Sequence, residues 1–202
     1  MNLDDPRAKK LSYSLHGLQQ ALVRHEAAHW HRPEDAFAAA AEAVWWVVSF
    51  DRALEHSDEA ERDRQAYKDA RGANPDGQTV IGMKFVRNHV DHGTELHDFV
   101  ALNSVVGNSW YDMRAGWIWK PLDELEPLLD PRFKSGPGAS GLKQYRDRLG
   151  GNLVEHSLLD ANRWFLHLQP PIPALPDDES GQELVAFALG ERWPPVEGDR
   201  RA

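Results

Sequence analysis

The segment 84–93 concentrates side chains that could carry out acid–base and phosphate chemistry. It contains one arginine, one asparagine, two histidines and one carboxylate: Arg87, Asn88, His89, Asp91 and His92. On an α-helix, which turns by about 100° per residue, Asn88 and His92 share one face. Arg87 and Asp91 share the neighbouring face, so the segment predicts a single polar strip on a helix.

This set of residue types suits cleavage of a phosphodiester bond in RNA. A histidine, whose pKa lies near neutrality, can take a proton from a 2′-hydroxyl or give one to a leaving oxygen. An arginine can hold two phosphate oxygens and stabilise the charge that builds at phosphorus. Because the 2′-hydroxyl is itself the nucleophile, we expect no metal and no other cofactor.

The spacing of the arginine and the histidine sets a geometric condition. Arg87 and His92 are five residues apart, which is about 140° around a straight helix. They converge only if the helix bends near Gly93 or if two chains place their strips face to face. The alternative is an ordinary i,i+4 ion pair between Arg87 and Asp91 on a solvated helix face, with His89 and His92 as surface residues.

The string Arg87-Asn88-x-x-x-His92 resembles the signature of the HEPN superfamily. That signature is an arginine, usually followed by Asn, Asp or His, and then a histidine after four to six intervening residues. The resemblance implies a bundle of four or five helices that forms a homodimer across the motif helix. It also implies a metal-independent endoribonuclease of toxin–antitoxin, abortive-infection or CRISPR-linked defence, with Arg87 and His92 catalytic and Asn88 in support.

The resemblance leaves other roles near the motif to be assigned. His89 and Asp91 are candidates for supporting the catalytic pair. Further basic residues are weaker candidates for contact with the RNA backbone: Lys84, Arg114 and Lys120. The expected partners are a second copy of the chain, an RNA substrate, and an antitoxin or defence-system protein. Some members of the superfamily are not catalytic, so a helical interaction or nucleotide-binding module is the second hypothesis.

A competing motif lies near the N-terminus, where His25-Glu26-Ala27-Ala28-His29 matches H-E-x-x-H. Two histidines four residues apart on a helix can bind zinc, with the glutamate activating a water molecule. The β-sheet that precedes this motif in zinc proteases is not indicated here. A zinc hydrolase is therefore the third hypothesis. The same segment has two other interpretations: a structural metal site at His25, His29 and His31, or burial of His25 and His29 as part of a leucine stripe along the helix.

Composition narrows the classes of protein. The chain of 202 residues has a formal net charge of −9, which argues against a general nucleic-acid coating protein. It has no cysteine, so disulfides and thiolate metal sites are excluded. No apolar run is long enough to span a membrane. The acidic N-terminal segment lacks the apolar core of a signal peptide, so we expect a cytoplasmic protein.

Hydrophobic periodicity predicts a mainly α fold: a four-to-five-helix antiparallel bundle with a small β-hairpin insertion. The first unit is predicted over residues 1–168, and a proline-rich extended tail with one short helix over 169–202. The predicted helices cover 11–30, 33–56, 78–102, 121–129, 152–167 and 182–189, the hairpin covers about 104–120, and 56–76 and 131–141 are predicted as mostly loop. Asn152 and Glu155 are compatible with a capping box that opens the helix at 152.

Overall fold

The structure is a computed structural model that describes residues 6–28, 32–55, 61–91, 94–106, 113–129 and 137–168. Within these ranges the chain is mainly helical, with one antiparallel pair of strands. The helices are α1 (Pro6–Ala28), α2 (Pro33–Glu55), α3 (Glu61–Ala73), α4 (Pro75–Val90), α5 (Leu96–Phe99), α6 (Leu122–Leu125), α7 (Pro137–Gln144) and α8 (Val154–Leu166), and the strands are β1 (Val100–Val106) and β2 (Met113–Trp119).

Helices α1 and α2 form a closely packed antiparallel pair. In the middle of α1, Gly17 lies against the ring of Trp46, whereas near the end of α1 His25 Nδ1 donates to the carbonyl of Ala36 at 2.8 Å. Residue numbers therefore rise along one helix as they fall along the other. A Cβ on Gly17 would come within 2.4 Å of Trp46, so the close approach requires glycine. The predicted leucine stripe is buried as expected: Leu11, Leu15, Leu18 and Leu22.

Helix α4 carries the polar strip and packs against α2, α3, α7 and α8. It begins where the side chain of Asn74 accepts hydrogen bonds from the backbone N–H groups of Asp76 and Gly77, and Pro75 occupies its first position. Its apolar side faces the core: Val80, Met83, Phe85 and Val86 are buried. This arrangement fixes which residues of the strip can reach the surface.

Two predictions on either side of α4 are wrong. Residues 61–73, predicted as a fraying end and loop, form helix α3. The helix predicted over 78–102 ends at Val90 with Asp91 as its cap, and residues 100–102 belong to β1. The first error arises because the inward side chains of α3 include Tyr67 and Arg71, which pair with residues of other helices and leave no apolar period. The second arises because Phe99 and Val100, which are buried in the next two elements, extend the apolar pattern of α4.

The β-hairpin is confirmed and begins earlier than predicted. Its strands pair antiparallel from Val100 opposite Trp119 to Val106 opposite Met113. Trp119 is fully buried, and the indole N–H of Trp117 donates to the carbonyl of Pro33 at 2.8 Å. The aromatic residues at this end of β2 therefore pack against the helices.

The end of the described chain departs from prediction in two places. Residues 137–141, predicted as loop, begin α7, which continues into a π-helical segment over Tyr145–Leu149. The capping box is wrong, because the cap of α8 is Leu153 and the amide of Asn152 donates to the carbonyl of Arg148 at 2.9 Å. The proline-rich segment and the helix predicted at 182–189 lie outside the described residues.

The mainly α class with a small two-stranded sheet is thus confirmed. One apolar core joins α1, α2, α4, α8, the hairpin and the π-helical segment. In the part of the chain that the structure describes, no helix has the length and apolar character needed to cross a membrane.

Candidate functional site

In the last turn of α4, some of the predicted site residues are accessible and others are buried. Arg87 and Asn88 are partly exposed and Asp91 is exposed, whereas His89 is buried. His92, the predicted acid–base residue, lies outside the described residues together with Gly93. The structure therefore places the arginine, the asparagine and the aspartate, and the relation of Arg87 to His92 stays a prediction.

Arg87 and Asp91 form an i,i+4 ion pair through Asp91 Oδ1. A second guanidinium reaches the same place from α2. Arg52 Nη2 donates to Asn88 Oδ1 at 3.2 Å and lies 3.8 Å from Asp91 Oδ2. We call these four residues the Arg52–Arg87 cluster: Arg52, Arg87, Asn88 and Asp91.

The electrostatics of this cluster are those of a site with excess positive charge. Two guanidinium groups share the carboxylate of Asp91 in the described contacts. Burial, and then the charge of Arg52, lower the pKa of Arg87 from its ordinary value. Arginine nevertheless stays protonated at neutral pH, so the cluster retains two cations that a phosphate group could engage.

Sequence reasoning missed Arg52. It follows Asp51 directly on a helix that is apolar from Val44 to Val48. Two successive charged residues near the end of an apolar helix indicate that their side chains point in different directions, each toward polar surroundings. That signal does not say which residues of α4 they meet.

His89, predicted to support catalysis, lies in the core. Its side chain is 2% exposed, and Nδ1 donates to the carbonyl of Phe85 at 3.0 Å. The ring packs 4.3 Å from that of Phe85 and 5.7 Å from that of Phe99, measured between centroids. In this position the imidazole supports α4 by packing and does not reach the surface of the cluster.

A second group of charges lies beside the cluster but is largely buried. Asp51 is fully buried and accepts from the hydroxyl of Tyr67 at 2.7 Å, from Arg71, and from Lys84 Nζ at 3.2 Å. Glu55 accepts from Arg71 Nη2 at 2.7 Å and from Lys84. We call this group the buried ion network: Asp51, Glu55, Arg71 and Lys84.

The network favours the ionised form of Glu55. Burial alone would raise the pKa of Glu55, but Lys84 and Arg71 outweigh it and hold that pKa below its usual range. Lys84, predicted to contact the RNA backbone, has both carboxylates as partners and only 22% of its side chain exposed. Its contact with RNA stays a prediction, and it would require breaking these ion pairs.

The other predicted RNA contacts lie on or next to the hairpin. Lys120 Nζ is 3.5 Å from the carbonyl of His97, its hydrogen-bond acceptor. Arg114 pairs with Val105 in the strand register, and its side chain lies outside the described part. Neither residue contacts the Arg52–Arg87 cluster in any described hydrogen bond or ion pair.

The first four residues of the H-E-x-x-H segment, 25–28, form the end of α1. His25 is 3% exposed, and burial lowers its pKa although the carbonyl of Ala36 favours the protonated ring. His29 and His31 lie outside the described residues. Among the residues that are described, no group of three or more potential ligands is placed to hold a metal ion.

A polar groove of about 440 Å³ runs along α8, and none of its lining residues belongs to the predicted strip. Its arginines are already engaged: Arg148 donates to Gln78 Oε1 at 2.9 and 2.8 Å, and Arg163 to Asp76 Oδ2 at 2.8 Å. Burial raises the pKa of Asp160 on the same wall. The groove therefore has balanced charges, in contrast to the Arg52–Arg87 cluster.

Comparison of the chain with protein-family models, with curated proteins and with solved structures finds no match.

Proposed function

We propose that the protein is a metal-independent endoribonuclease of the HEPN type, acting in a bacterial stress response, a toxin–antitoxin system or phage defence. The observation that carries the proposal is the string Arg87-Asn88-x-x-x-His92, whose arginine and asparagine lie in the last turn of a helix in a mainly α chain. The partial exposure of Arg87 and Asn88 beside a second arginine supports it.

In this mechanism the 2′-hydroxyl of a ribose attacks the adjacent phosphorus. A P–O2′ bond forms and the P–O5′ bond breaks, so the products carry a 2′,3′-cyclic phosphate and a free 5′-hydroxyl. His92 accepts the 2′ proton or donates a proton to the leaving 5′ oxygen. Arg87 stabilises the negative charge that grows on the phosphate oxygens, and Asn88 supports this arrangement.

The proposed active unit is a homodimer, in which α4 helices from two chains bring their strips together. Such pairing would place the arginine of one chain near the histidine of the other. The angular separation of the two residues around a single helix would then not keep them apart. An antitoxin or defence-system protein is the proposed further partner. A protein whose activity threatens the cell's own RNA needs a partner that restrains it.

The test is cleavage of RNA in EDTA by the wild type and by His92→Ala. We expect the wild type to leave 2′,3′-cyclic phosphate ends and His92→Ala to lose about 10²–10⁴-fold in rate, the range for loss of a general acid or base. His156→Ala, which removes an exposed histidine from α8, is the matched control and keeps full activity. Equal activity of the wild type and His92→Ala, or magnesium-dependent cleavage that leaves 5′-phosphates, would overturn the proposal.

One observation favours a second candidate function, a non-catalytic module that binds nucleotides or another protein. The guanidinium of Arg87 is engaged by Asp91, as in an ordinary helix-surface ion pair. This candidate predicts no cleavage of any RNA under the conditions above. It also predicts that Arg87→Ala alters binding of a ligand without altering any reaction rate.

A further inference from the structure

The carboxylate of Asp91 lies between two guanidinium groups that come from different helices. Its Oδ1 pairs with Arg87 of α4, and its Oδ2 lies 3.8 Å from Arg52 Nη2 of α2. Each oxygen of one anionic group therefore faces a different arginine. A phosphate group also carries several anionic oxygens, and it can accept charge-assisted hydrogen bonds from two guanidinium groups at once.

The position of Asp91 makes its carboxylate easy to displace. It caps the C-terminal end of α4, where the partial negative charge of the helix dipole disfavours an anion. Its side chain is 36% exposed and that of Arg52 is 46% exposed, so solvent screens both ion pairs. Neither arginine is held as firmly as the buried Arg71, whose side chain is 9% exposed.

Asn88 contributes to the same site without adding charge. Its Oδ1 accepts from Arg52, which directs that guanidinium toward α4, and its amide nitrogen remains a donor suited to a phosphate oxygen. The neutral amide of Asn88 therefore adds a hydrogen-bond donor beside the two guanidinium groups and no negative charge, which favours a bound anion.

We propose that Arg52 and Arg87 together form a phosphate-binding fork for an RNA strand, and that Asp91 occupies the fork until a phosphodiester replaces its carboxylate. This proposal deepens the proposed function and rests on it for the identity of the ligand. Arg52 is the added binding residue, and Asp91 is an internal competitor that lowers affinity for RNA. Loss of Asp91 therefore strengthens binding, which is the opposite of the effect expected for a supporting residue.

The experiment measures binding of a fluorescent 2′-O-methyl RNA oligonucleotide in EDTA, because this strand lacks the 2′-hydroxyl and cannot be cleaved. We expect Arg52→Gln to weaken binding by about tenfold or more, the loss of one charge-assisted contact. The same substitution should reduce the magnitude of the slope of log K against log salt by about 0.7, the value for one phosphate contact on a single strand. Asp91→Asn is expected to tighten binding by about threefold to tenfold.

The chain offers matched controls on α7 and its π-helical continuation. Asp147 is likewise a carboxylate between two cations, since it pairs with Lys143 and Arg146 at 2.9 and 3.1 Å. Asp147→Asn and Arg146→Gln therefore change net charge by the same amount as the test variants, and we expect them to stay within about twofold of the wild type. Thermal unfolding of every variant separates loss of binding from loss of fold.

Each outcome separates this proposal from the proposed function. If Asp91→Asn binds no more tightly than Asp147→Asn, or if Arg52→Gln binds like Arg146→Gln, the fork is overturned whether or not the wild type cleaves RNA. If the variants follow the expected pattern and unmodified RNA is not cleaved, the phosphate-binding fork is supported and the proposed nuclease activity is overturned. If 5′-AMP displaces the oligonucleotide at equal concentration, the assignment to an RNA strand is overturned.

Discussion

The buried ion network and the Arg52–Arg87 cluster both link α2 to α4, the network with Arg71 of α3 in addition, and they differ chiefly in the burial of their carboxylates. Asp51 and Arg52 are consecutive on α2, and Lys84 and Arg87 are one turn apart on α4. In the network Asp51 has no exposure and accepts from three donors. In the cluster Asp91 is 36% exposed.

This difference assigns a structural role to one group and an accessible binding role to the other. Charges taken out of water must stay paired, because an unpaired buried charge is costly, so the network fixes how α2, α3 and α4 meet. Charges near water can exchange partners at little cost. Two turns of neighbouring helices can therefore hold a rigid ionic core and an exchangeable anion site side by side.

The largest effect expected from this comparison comes from the same substitution made in both groups. Asp51→Asn leaves Arg71 and Lys84 with one buried carboxylate fewer, and we expect it to cost about 3–5 kcal/mol of unfolding free energy. Asp91→Asn removes solvent-screened ion pairs and should cost less than about 1 kcal/mol. Urea denaturation of the two variants checks this, and equal costs would remove the distinction between the groups.

A smaller effect is expected at two glycines, Gly77 at the close approach of α4 to the end of α3 and Gly72 in open space on α3. A Cβ on Gly77 would come within 2.4 Å of the backbone carbonyl oxygen of Arg71, so Gly77→Ala should shift Arg71 and cost about 1–3 kcal/mol. Gly72 has no atom within 4 Å of its Cβ position, and Gly72→Ala should stabilise α3 by up to about 1 kcal/mol. Thermal unfolding compares them; a neutral Gly77→Ala would mean that the network does not depend on this close approach.

The sequence predicted α1, α2, the hairpin and the class of fold because each of these shows an apolar period. It did not predict α3, where the inward side chains include Tyr67 and Arg71 and the partners that stabilise them lie on α2 and α4. It did not predict α7 either, because Gly141 in a Gly- and Ser-rich segment is typical of loops. In the structure a Cβ at Gly141 would lie 3.0 Å from Phe85, so this glycine allows two helices to pack closely.

The candidate site could be predicted only where its residues lie close together on one helix. The string at 87–92 identified Arg87, Asn88 and Asp91 as neighbours on one helix, and the structure places them together. Arg52 could not be predicted because its meeting with Asn88 depends on the crossing of α2 and α4. The burial of His89 likewise depends on Phe99, which follows the end of α4.

The smallest expected effect is a dependence of stability on pH that belongs to the network. The pKa of Glu55 is lower in the folded chain than its ordinary value of 4.5, so the folded state binds fewer protons in that range. Its stabilising contribution is therefore complete above about pH 4.5 and is lost as the pH falls through the folded-state pKa. Glu55→Gln removes this contribution, so the difference in unfolding free energy between wild type and variant should shrink on acidification. A difference that stays constant between pH 6 and pH 3 would contradict this origin.

The most direct test of the account is RNA cleavage by the wild type and Arg87→Ala in EDTA, with thermal unfolding measured on the same preparations. Arg87 is partly exposed and outside the buried network, so its loss should leave the unfolding temperature nearly unchanged. We predict 2′,3′-cyclic phosphate ends from the wild type and at least a hundredfold slower cleavage by Arg87→Ala. No cleavage by the wild type, or equal cleavage by both proteins, would contradict the central claim.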